Sequence, residues 1–473
     1  MKLTGNTTLS ATISAGASPG MWRTVRLALA LSIPSVMAQL AVIVMQYIDA
    51  AMVGQMGADA SAAVGLVTTS TWLFNGLCTA TAAGFAVQVA HLLGARRAEE
   101  ARGVVRQGLT ASMLLGLLWA ASGCLLSLRL PWWLGGTGDV AANASGYFFI
   151  YAAALPMLQL NFLMLGVLRS SGNMMAPGVA GASMCLLDVV LNYFLIFPTR
   201  EVAIFGTELI MPGFNLGVRG AALGTALAVT VTSLSLLFYV WHRKSELRMA
   251  GTQGSFRPTR IVLRRAWGIG VPMAVERSVM SAAQIVLIAV VAPLGAVALA
   301  ANALAVTAEG FCYMPGYGVS DAATALVGQS LGADNKPLAR RLAYSCVGLG
   351  MATMSLAALI LYIGAPYIIG IMTPDPDVLA LGVKVLRTVA WVEPMFAVAI
   401  VCYGVFVGAG DTLVPCLMNF GSMWGVRIVL AALLAPIWGL WGVWLAMSGE
   451  LCFRGTIFFL RLRTDKWMRH KLV

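Results

Sequence analysis

Charged residues are scarce in this sequence, with Asp, Glu, Lys and Arg making up 11% of its 473 residues and hydrophobic residues 59%. A soluble domain usually carries roughly 25% charged residues. So low a content excludes a soluble multidomain protein, a fibrous protein and a disordered chain. Long uncharged runs, such as Leu356–Ile371, instead predict helices of about 20 residues that cross a lipid bilayer.

Histidine is also scarce, and the cysteines do not occur in closely spaced pairs. The chain has three histidines, and its eight cysteines show no CxxC spacing, which argues against a metal cluster or a disulfide framework. A GxxxxGK[ST] phosphate loop is missing, so nothing indicates an ATP-driven pump. We find no nucleophile–base or metal constellation, and we therefore expect neither an enzyme nor a bound cofactor. The net charge of +12 comes from loops, where it sets membrane orientation; we expect no nucleic-acid partner.

The apolar runs predict an all-α membrane protein with twelve transmembrane helices in two six-helix bundles. Most of the 31 Lys and Arg residues fall on one side of these spans. We expect the protein to lie in the plasma (inner) membrane. By the positive-inside rule, both termini and the central loop face the cytoplasm. The predicted organisation is a flexible tail (1–22), an N-lobe (23–242), a cytoplasmic linker (243–265), a C-lobe (266–463) and a second cytoplasmic tail (464–473).

The two predicted lobes align at a constant offset of 238 residues. Pro34 meets Pro272, and Leu93-Gly94-Ala95 meets Leu331-Gly332-Ala333; further matches are Pro156 with Pro394 and Gly172 with Gly410. Proline and glycine recur where backbone geometry and close helix packing are constrained. Since each half has six spans, the repeat is parallel, and two such lobes can rock to give alternating access.

Several motifs resemble the multidrug and toxic compound extrusion (MATE) family. They are Tyr47-Ile48-Asp49-Ala50-Ala51-Met52-Val53-Gly54, Gly268-Ile269-Gly270-Val271-Pro272, Met314-Pro315-Gly316, Leu326-Val327-Gly328-Gln329-Ser330-Leu331-Gly332-Ala333 and Gly408-Ala409-Gly410-Asp411-Thr412. The resemblance covers roughly residues 25–460. It implies a V-shaped exporter that exchanges bulky, often cationic compounds for protons or sodium ions, and that works in the bilayer as a monomer.

Asp49 and Asp188 are the predicted proton-coupling residues. Both lie inside first-lobe spans that have no deep Lys or Arg, and a low dielectric disfavours the charged form of an unpaired carboxyl group. Asn192 follows Asp188 by four residues, so it shares a helix face with that acid. In proton-coupled MATE proteins the resemblance implies the same role for the first-span and fifth-span aspartates. The plainer alternatives are a headgroup position for Asp49 and a satisfied buried group for Asp188.

Second-lobe acids have potential arginine partners, and Glu276 either binds a cationic substrate or pairs with an arginine. The resemblance places the seventh-span acid of some sodium-coupled members at Met280, which favours protons over sodium here. Candidate substrate-binding residues are Asn192, Glu276, Tyr47, Met45 and Tyr151, since rings and flexible Met side chains suit hydrophobic cations. Pro34 is the predicted hinge of the first span. A sodium-coupled antiporter, a lipid-precursor flippase and a channel remain alternatives.

Overall fold

The computed structural model describes residues 20–204 and 207–469, and the side chains of all of these except residues 200–211. Helices of the first lobe are α1 Met21–Gly54, α2 Ala58–Gly94, α3 Ala98–Ser127, the short α4 Leu130–Trp133, α5 Gly138–Ala153, α6 Leu155–Ser170, α7 Met175–Ile196 and α8 Gly217–His242. Those of the second lobe are α9 Arg260–Val291, α10 Ala296–Gly332, α11 Lys336–Met372, α12 Pro376–Ala390, α13 Glu393–Gly408, α14 Leu413–Phe420 and α15 Val429–Arg463.

Twelve spans follow from these helices. In the described part of the chain, nine helical stretches are long and apolar enough to cross a membrane, and two bent helix pairs add two more. One of the nine, Leu413–Arg463, has 51 residues, or about 75 Å at 1.5 Å per residue, against a hydrocarbon core of about 30 Å. Its backbone breaks at Gly439, where φ is 61°, so this stretch supplies the eleventh and twelfth spans. The predicted twelve-helix, two-lobe fold is confirmed.

The fourth and tenth spans are broken, although the sequence predicted continuous helices over 142–171 and 378–409. The axis bends by 48° between α5 and α6 and by 58° between α12 and α13. Pro156 and Pro394 occupy the first turns of α6 and α13, where the missing N–H of proline costs little. Both prolines belong to the 238-residue repeat, so the two lobes bend at equivalent positions.

A two-stranded sheet follows α7, where the first half of the sequence carries extra length relative to the repeat. β1 (Pro198–Ile204) and β2 (Thr207–Phe214) pair antiparallel, with Pro198 opposite Phe214. This hairpin interrupts the repeat, because the second lobe turns between its corresponding spans at Gly439. The predicted all-α fold class holds, and among the described residues this hairpin is the one element that is not helical.

The connecting segments differ from the predicted domain boundaries. Residues 1–19 of the predicted first tail lie outside the described residues, and Met21 already begins α1. α9 begins at Arg260 instead of 266, and the linker before it docks on the first lobe, where Arg106 donates hydrogen bonds to the carbonyl groups of Thr252 and Gln253. In the predicted second tail, Trp467 is fully buried and packs against Phe406.

The two lobes meet at the end of the bundle where α1 begins, which also carries Arg96, Arg97, the linker and Arg463; we call it the basic end. Here the first turns of α1 share an apolar core with α10 and α11 of the other lobe, through Leu27, Ala28 and Leu31. Within a bilayer such contacts stabilise the association of helices through van der Waals packing. The first helix therefore ties the two lobes together.

Candidate functional site

Asp49 and Asp188 face one another across α1 and α7, joined by an amide. The Nδ2 group of Asn192 donates to Asp49 Oδ1 at 2.8 Å and to Asp188 Oδ2 at 3.1 Å. Asp188 and Asn192 are fully buried, and Asp49 is half-buried. Among the described side chains neither carboxyl group forms an ion pair. The predicted contact between Asp188 and Asn192 is confirmed, and the link to Asp49 was not predicted.

Gly224 of α8 fixes the amide from behind. A Cβ atom at this glycine would lie 2.0 Å from Asn192 Oδ1 and 3.0 Å from its Cγ, so no larger residue fits without moving the amide. Asn192 Oδ1 and Asp188 Oδ1 are buried without a hydrogen-bond partner. Unsatisfied buried acceptors are costly in an apolar medium, and a proton on the acid pair would supply the missing donor.

Tyr47 and Met45 lie one turn or less from Asp49 on α1. The Tyr47 hydroxyl donates to the carbonyl oxygen of Thr307 at 2.5 Å, and its ring stacks on Phe311 with centroids 4.8 Å apart. Both partners belong to α10, so this predicted substrate-binding tyrosine lies at the contact between the lobes. Met45 is buried.

The other candidate residues lie in separate places. Tyr151 donates to the carbonyl oxygen of Thr71 at 2.9 Å within the first lobe. Glu276 lies in the second lobe, where it accepts hydrogen bonds from the Tyr403 hydroxyl at 2.5 Å and from Asn419 Nδ2 at 2.7 Å. The structure therefore does not gather the five substrate-binding candidates into one site: Asn192 joins the aspartates, and Glu276 belongs to a different cluster.

Pro34, the predicted hinge, lies inside a continuous helix that runs through it from Met21 to Gly54. Its carbonyl group is in close contact with the fifth span, because a Cβ atom on Gly178 would lie 3.0 Å from that oxygen. A bend of α1 at this point would therefore change its packing on α7, and the hinge role stays a prediction.

Second-lobe acids are only partly paired with arginine. Glu450 accepts a hydrogen bond from Arg454 at 2.6 Å and lies 3.9 Å from Arg427. Arg427 belongs to a π-helical turn at Gly421–Ile428. Glu393 is fully buried and neither of its carboxyl oxygens has a hydrogen-bond partner. Among the described side chains Glu393 therefore forms no ion pair with an arginine.

The seam between the lobes at the basic end has one pair of matching contacts, related by the 238-residue offset. His91 Nε2 lies 2.9 Å from the carbonyl oxygen of Gly408, and Gln329 Nε2 donates to that of Ser170 at 2.5 Å. His91 and Gln329 are equivalent in the repeat, as are Ser170 and Gly408. The repeat therefore builds the same closing contact twice.

Two glycines let the seam close tightly. A Cβ atom on Gly94 would lie 2.0 Å from the carbonyl oxygen of Gln329, and one on the equivalent Gly332 would lie 2.1 Å from that of His91. Small residues permit such close helix approach in membrane proteins. The hydrogen bond between the lobes that lies furthest from this end, among the described residues, is the one from Tyr47 to Thr307.

A further polar contact crosses the seam on one side only. Asp321 of α10 forms an ion pair with Arg169 at 2.9 Å, and it accepts hydrogen bonds from Gln39 at 3.0 Å and Ser35 at 3.3 Å. Arg169 lies in the last turn of α6 and points into the seam.

These spans, their repeat and the buried acid pair define an integral, polytopic α-helical membrane protein built from two equivalent lobes. Residues 34–194 and 272–433 each match the MatE family model. The chain therefore belongs to the MatE family, and the two matches start 238 residues apart, in register with the repeat.

Related proteins span nearly the same length. A probable multidrug resistance protein NorM of Pseudomonas aeruginosa is 29% identical over 88% of this chain and 85% of its own. One from Thermotoga maritima is 23% identical over 90% and 89%. A solved structure of MATE in complex with MaL6 superposes with a TM-score of 0.85 at 21% identity, covering 98% of both chains. The outward-facing conformation of a multidrug resistance MATE family transporter gives a TM-score of 0.85 at 20% identity, also over 98% of both.

Proposed function

We propose that this protein is a secondary active multidrug exporter, which antiports hydrophobic cationic compounds against protons by alternating access. The protein lies as a monomer in the plasma (inner) membrane. Its basic end faces the cytoplasm, in keeping with the positive-inside rule. No cofactor and no covalent step enters the cycle. The names of the relatives support multidrug substrates, and the repeat of two lobes supports alternating access.

The acid pair carries this proposal. Asp49 and Asp188 share one amide donor and have no cationic partner among the described side chains. A second negative charge in such a place is costly, so the pair favours a bound proton or a bound cation. Exchange between these two occupants is the essential property of a proton–cation antiporter.

The cycle follows from this competition. When the basic end is open, the ionised pair attracts a cationic compound into the space between the lobes. After the lobes rock, protons from outside neutralise the carboxyl groups, and the compound leaves because its electrostatic attraction is gone. The protonated carrier then returns and releases its protons inside.

Stoichiometry decides which gradient drives the cycle. One proton exchanged for a monovalent cation moves no net charge, so only the pH difference counts, at about 1.4 kcal/mol per unit. If both carboxyl groups deliver a proton, each cycle also moves one charge inward, which is worth about 2.3 kcal/mol per 100 mV. Dependence of efflux on membrane voltage therefore reports whether one or both aspartates exchange protons.

The test uses the purified protein in proteoliposomes loaded with a fluorescent lipophilic cation. Proton and sodium gradients are imposed separately, and Asp49→Asn and Asp188→Asn are compared with Asp59→Asn, an exposed acid at the start of α2. We expect the proton gradient alone to drive dye movement. Each of the two site variants should abolish it and weaken binding of the dye while the melting temperature persists, and the control should behave as the parent protein.

Two results would reject the proposal. Transport driven by sodium with no response to protons would establish the sodium-coupled alternative. Unchanged proton-driven transport in the Asp49→Asn variant would remove the coupling role of the pair.

A further inference from the structure

Asp321 collects three donors from the opposite lobe on one oxygen atom. Arg169 Nη1, Gln39 Nε2 and the Ser35 hydroxyl all approach Asp321 Oδ2, at 2.9, 3.0 and 3.3 Å. The donors come from α1 and from the end of α6, whereas the acceptor lies in the middle of α10. The side chains of Asp321 and Arg169 are 26% and 23% exposed, so water screens the pair only partly.

The repeat shows that this cluster was added to one side of the seam. Positions equivalent to Asp321 and Arg169 in the other lobe are Ala83 and Val407, which pack into a small apolar cluster with Ile269. The two sides therefore share the contacts of His91 and Gln329 but differ in polarity here. On the apolar side the seam closes without an ion pair, so the three bonds to Asp321 serve some purpose beyond close helix approach.

The cluster is mechanically connected to the acid pair through α1. Gln39 precedes Asp49 by ten residues on the same uninterrupted helix, about 15 Å along its axis. Ser35 directly follows Pro34, where the helix lacks one internal hydrogen bond and bends most easily. Any movement of α1 that follows binding of a proton or a cation at Asp49 therefore strains the hydrogen bonds to Asp321.

We propose that Asp321 is a positioning residue that latches the basic end shut, by holding Ser35, Gln39 and Arg169 to the second lobe. The inference rests on the alternating-access cycle proposed above. Opening of the basic end requires these three bonds to break together, and their return stabilises the closed state. Asp321 touches neither the substrate nor the coupling proton.

A disulfide trap measures the closed state directly. The hydroxyl oxygens of Thr24 and Ser345 lie 3.3 Å apart across the seam, a separation that suits a cysteine pair. The T24C/S345C pair is placed in a chain carrying Cys346→Ala, and the rate of disulfide formation is followed by mass spectrometry. We compare Asp321→Asn, Arg169→Gln and the charge reversal R169D/D321R, with Asp334→Asn as the matched control, an exposed acid at the same end.

Asp321→Asn and Arg169→Gln should slow disulfide formation about 5- to 30-fold, the factor that corresponds to one or two kcal/mol. The charge reversal should restore much of the rate, and the control should leave it unchanged. A wild-type rate in both single variants would overturn the latch, as would a charge reversal slower than either of them. Arg169→Gln and Gln39→Leu serve the same purpose if Asp321→Asn does not fold.

The trap needs no proton gradient, so its outcome is independent of the transport assay. Loss of the latch effect beside normal proton-driven efflux would refute the role of Asp321 alone. A working latch in a protein that does not respond to protons would refute the proposed coupling alone.

Discussion

Replacement of Gly224 by alanine tests whether the amide between the two aspartates matters. The added Cβ atom would overlap Asn192 Oδ1 at 2.0 Å, so the amide must turn away or α8 must shift. Overpacking of this kind costs about 1–3 kcal/mol. Loss of the two hydrogen bonds to Asp49 and Asp188 adds about 1 kcal/mol each, and alanine recovers up to about 1 kcal/mol over glycine in a helix.

The net cost is therefore about 2–4 kcal/mol, concentrated at the acid pair. We expect proton-driven dye efflux in proteoliposomes to fall by about tenfold or more, since 1.4 kcal/mol corresponds to a factor of ten. The melting temperature should fall too. Gly65→Ala is the matched control, because a Cβ atom there meets no neighbour within 4 Å.

A double-mutant cycle makes this reasoning falsifiable. Asn192→Ala removes the two side-chain atoms nearest to the new Cβ atom and leaves the backbone nitrogen of residue 192 at 3.2 Å, so N192A/G224A should lose little more activity than Asn192→Ala alone. Residues in contact show such non-additivity, and independent sites do not. Additive losses would show that Gly224→Ala acts elsewhere in the helix, and the amide would then have no special part.

Two further predictions concern the seam and the second lobe. Gly94→Ala and Gly332→Ala should each slow formation of the T24C/S345C disulfide to a similar degree, because both added Cβ atoms strike a facing carbonyl oxygen. Gly348→Ala, the control, should leave the rate unchanged, because a Cβ atom there meets no neighbour within 4 Å. A strong difference between the first two variants would contradict the equivalence of the two sides. Glu450→Gln should cost about 3–5 kcal/mol, because it breaks a buried ion pair, whereas Glu100→Gln, in an exposed pair with an arginine, should cost about 0–1 kcal/mol. Melting temperatures in detergent compare these last two, and equal shifts would refute the burial argument.

The architecture could be predicted because it rests on periodic and repeated features. Apolar run length gives the spans, and the constant offset of 238 residues gives the two lobes. The contact from Asn192 to Asp188 followed from helical spacing of four residues. Each of these inferences needs only distances along one helix or between two copies of the same pattern.

Contacts between helices could not be predicted, since sequence gives the depth of a residue and not the direction in which it points. Asn192 also reaches Asp49, 143 residues away, and Arg169 turns back from the helix end towards Asp321. Gly224 shows no signal in the sequence, because its importance comes from an amide on another helix. The β-hairpin after α7 was recognisable only as extra length.

The two lobes are alike in the contacts that close the basic end, and they differ at the positions of the acid pair. His91, Gln329, Gly94 and Gly332 keep their equivalence across the repeat, and both lobes bend at the same point of one span. Asp49 and Asp188, by contrast, correspond to Leu287 and Val426. A closing contact must be made from both sides of a pseudo-twofold axis, so duplication preserves it.

An ion-coupling site has no such requirement, and an isolated carboxyl group in the bilayer is costly. In the proposed cycle one lobe is therefore sufficient to bind the proton, provided that its state reaches the other lobe. α1 meets this condition. It carries Asp49 near one end, and in its middle Ser35 and Gln39 donate hydrogen bonds to Asp321. Its first turns pack into the apolar core of the second lobe.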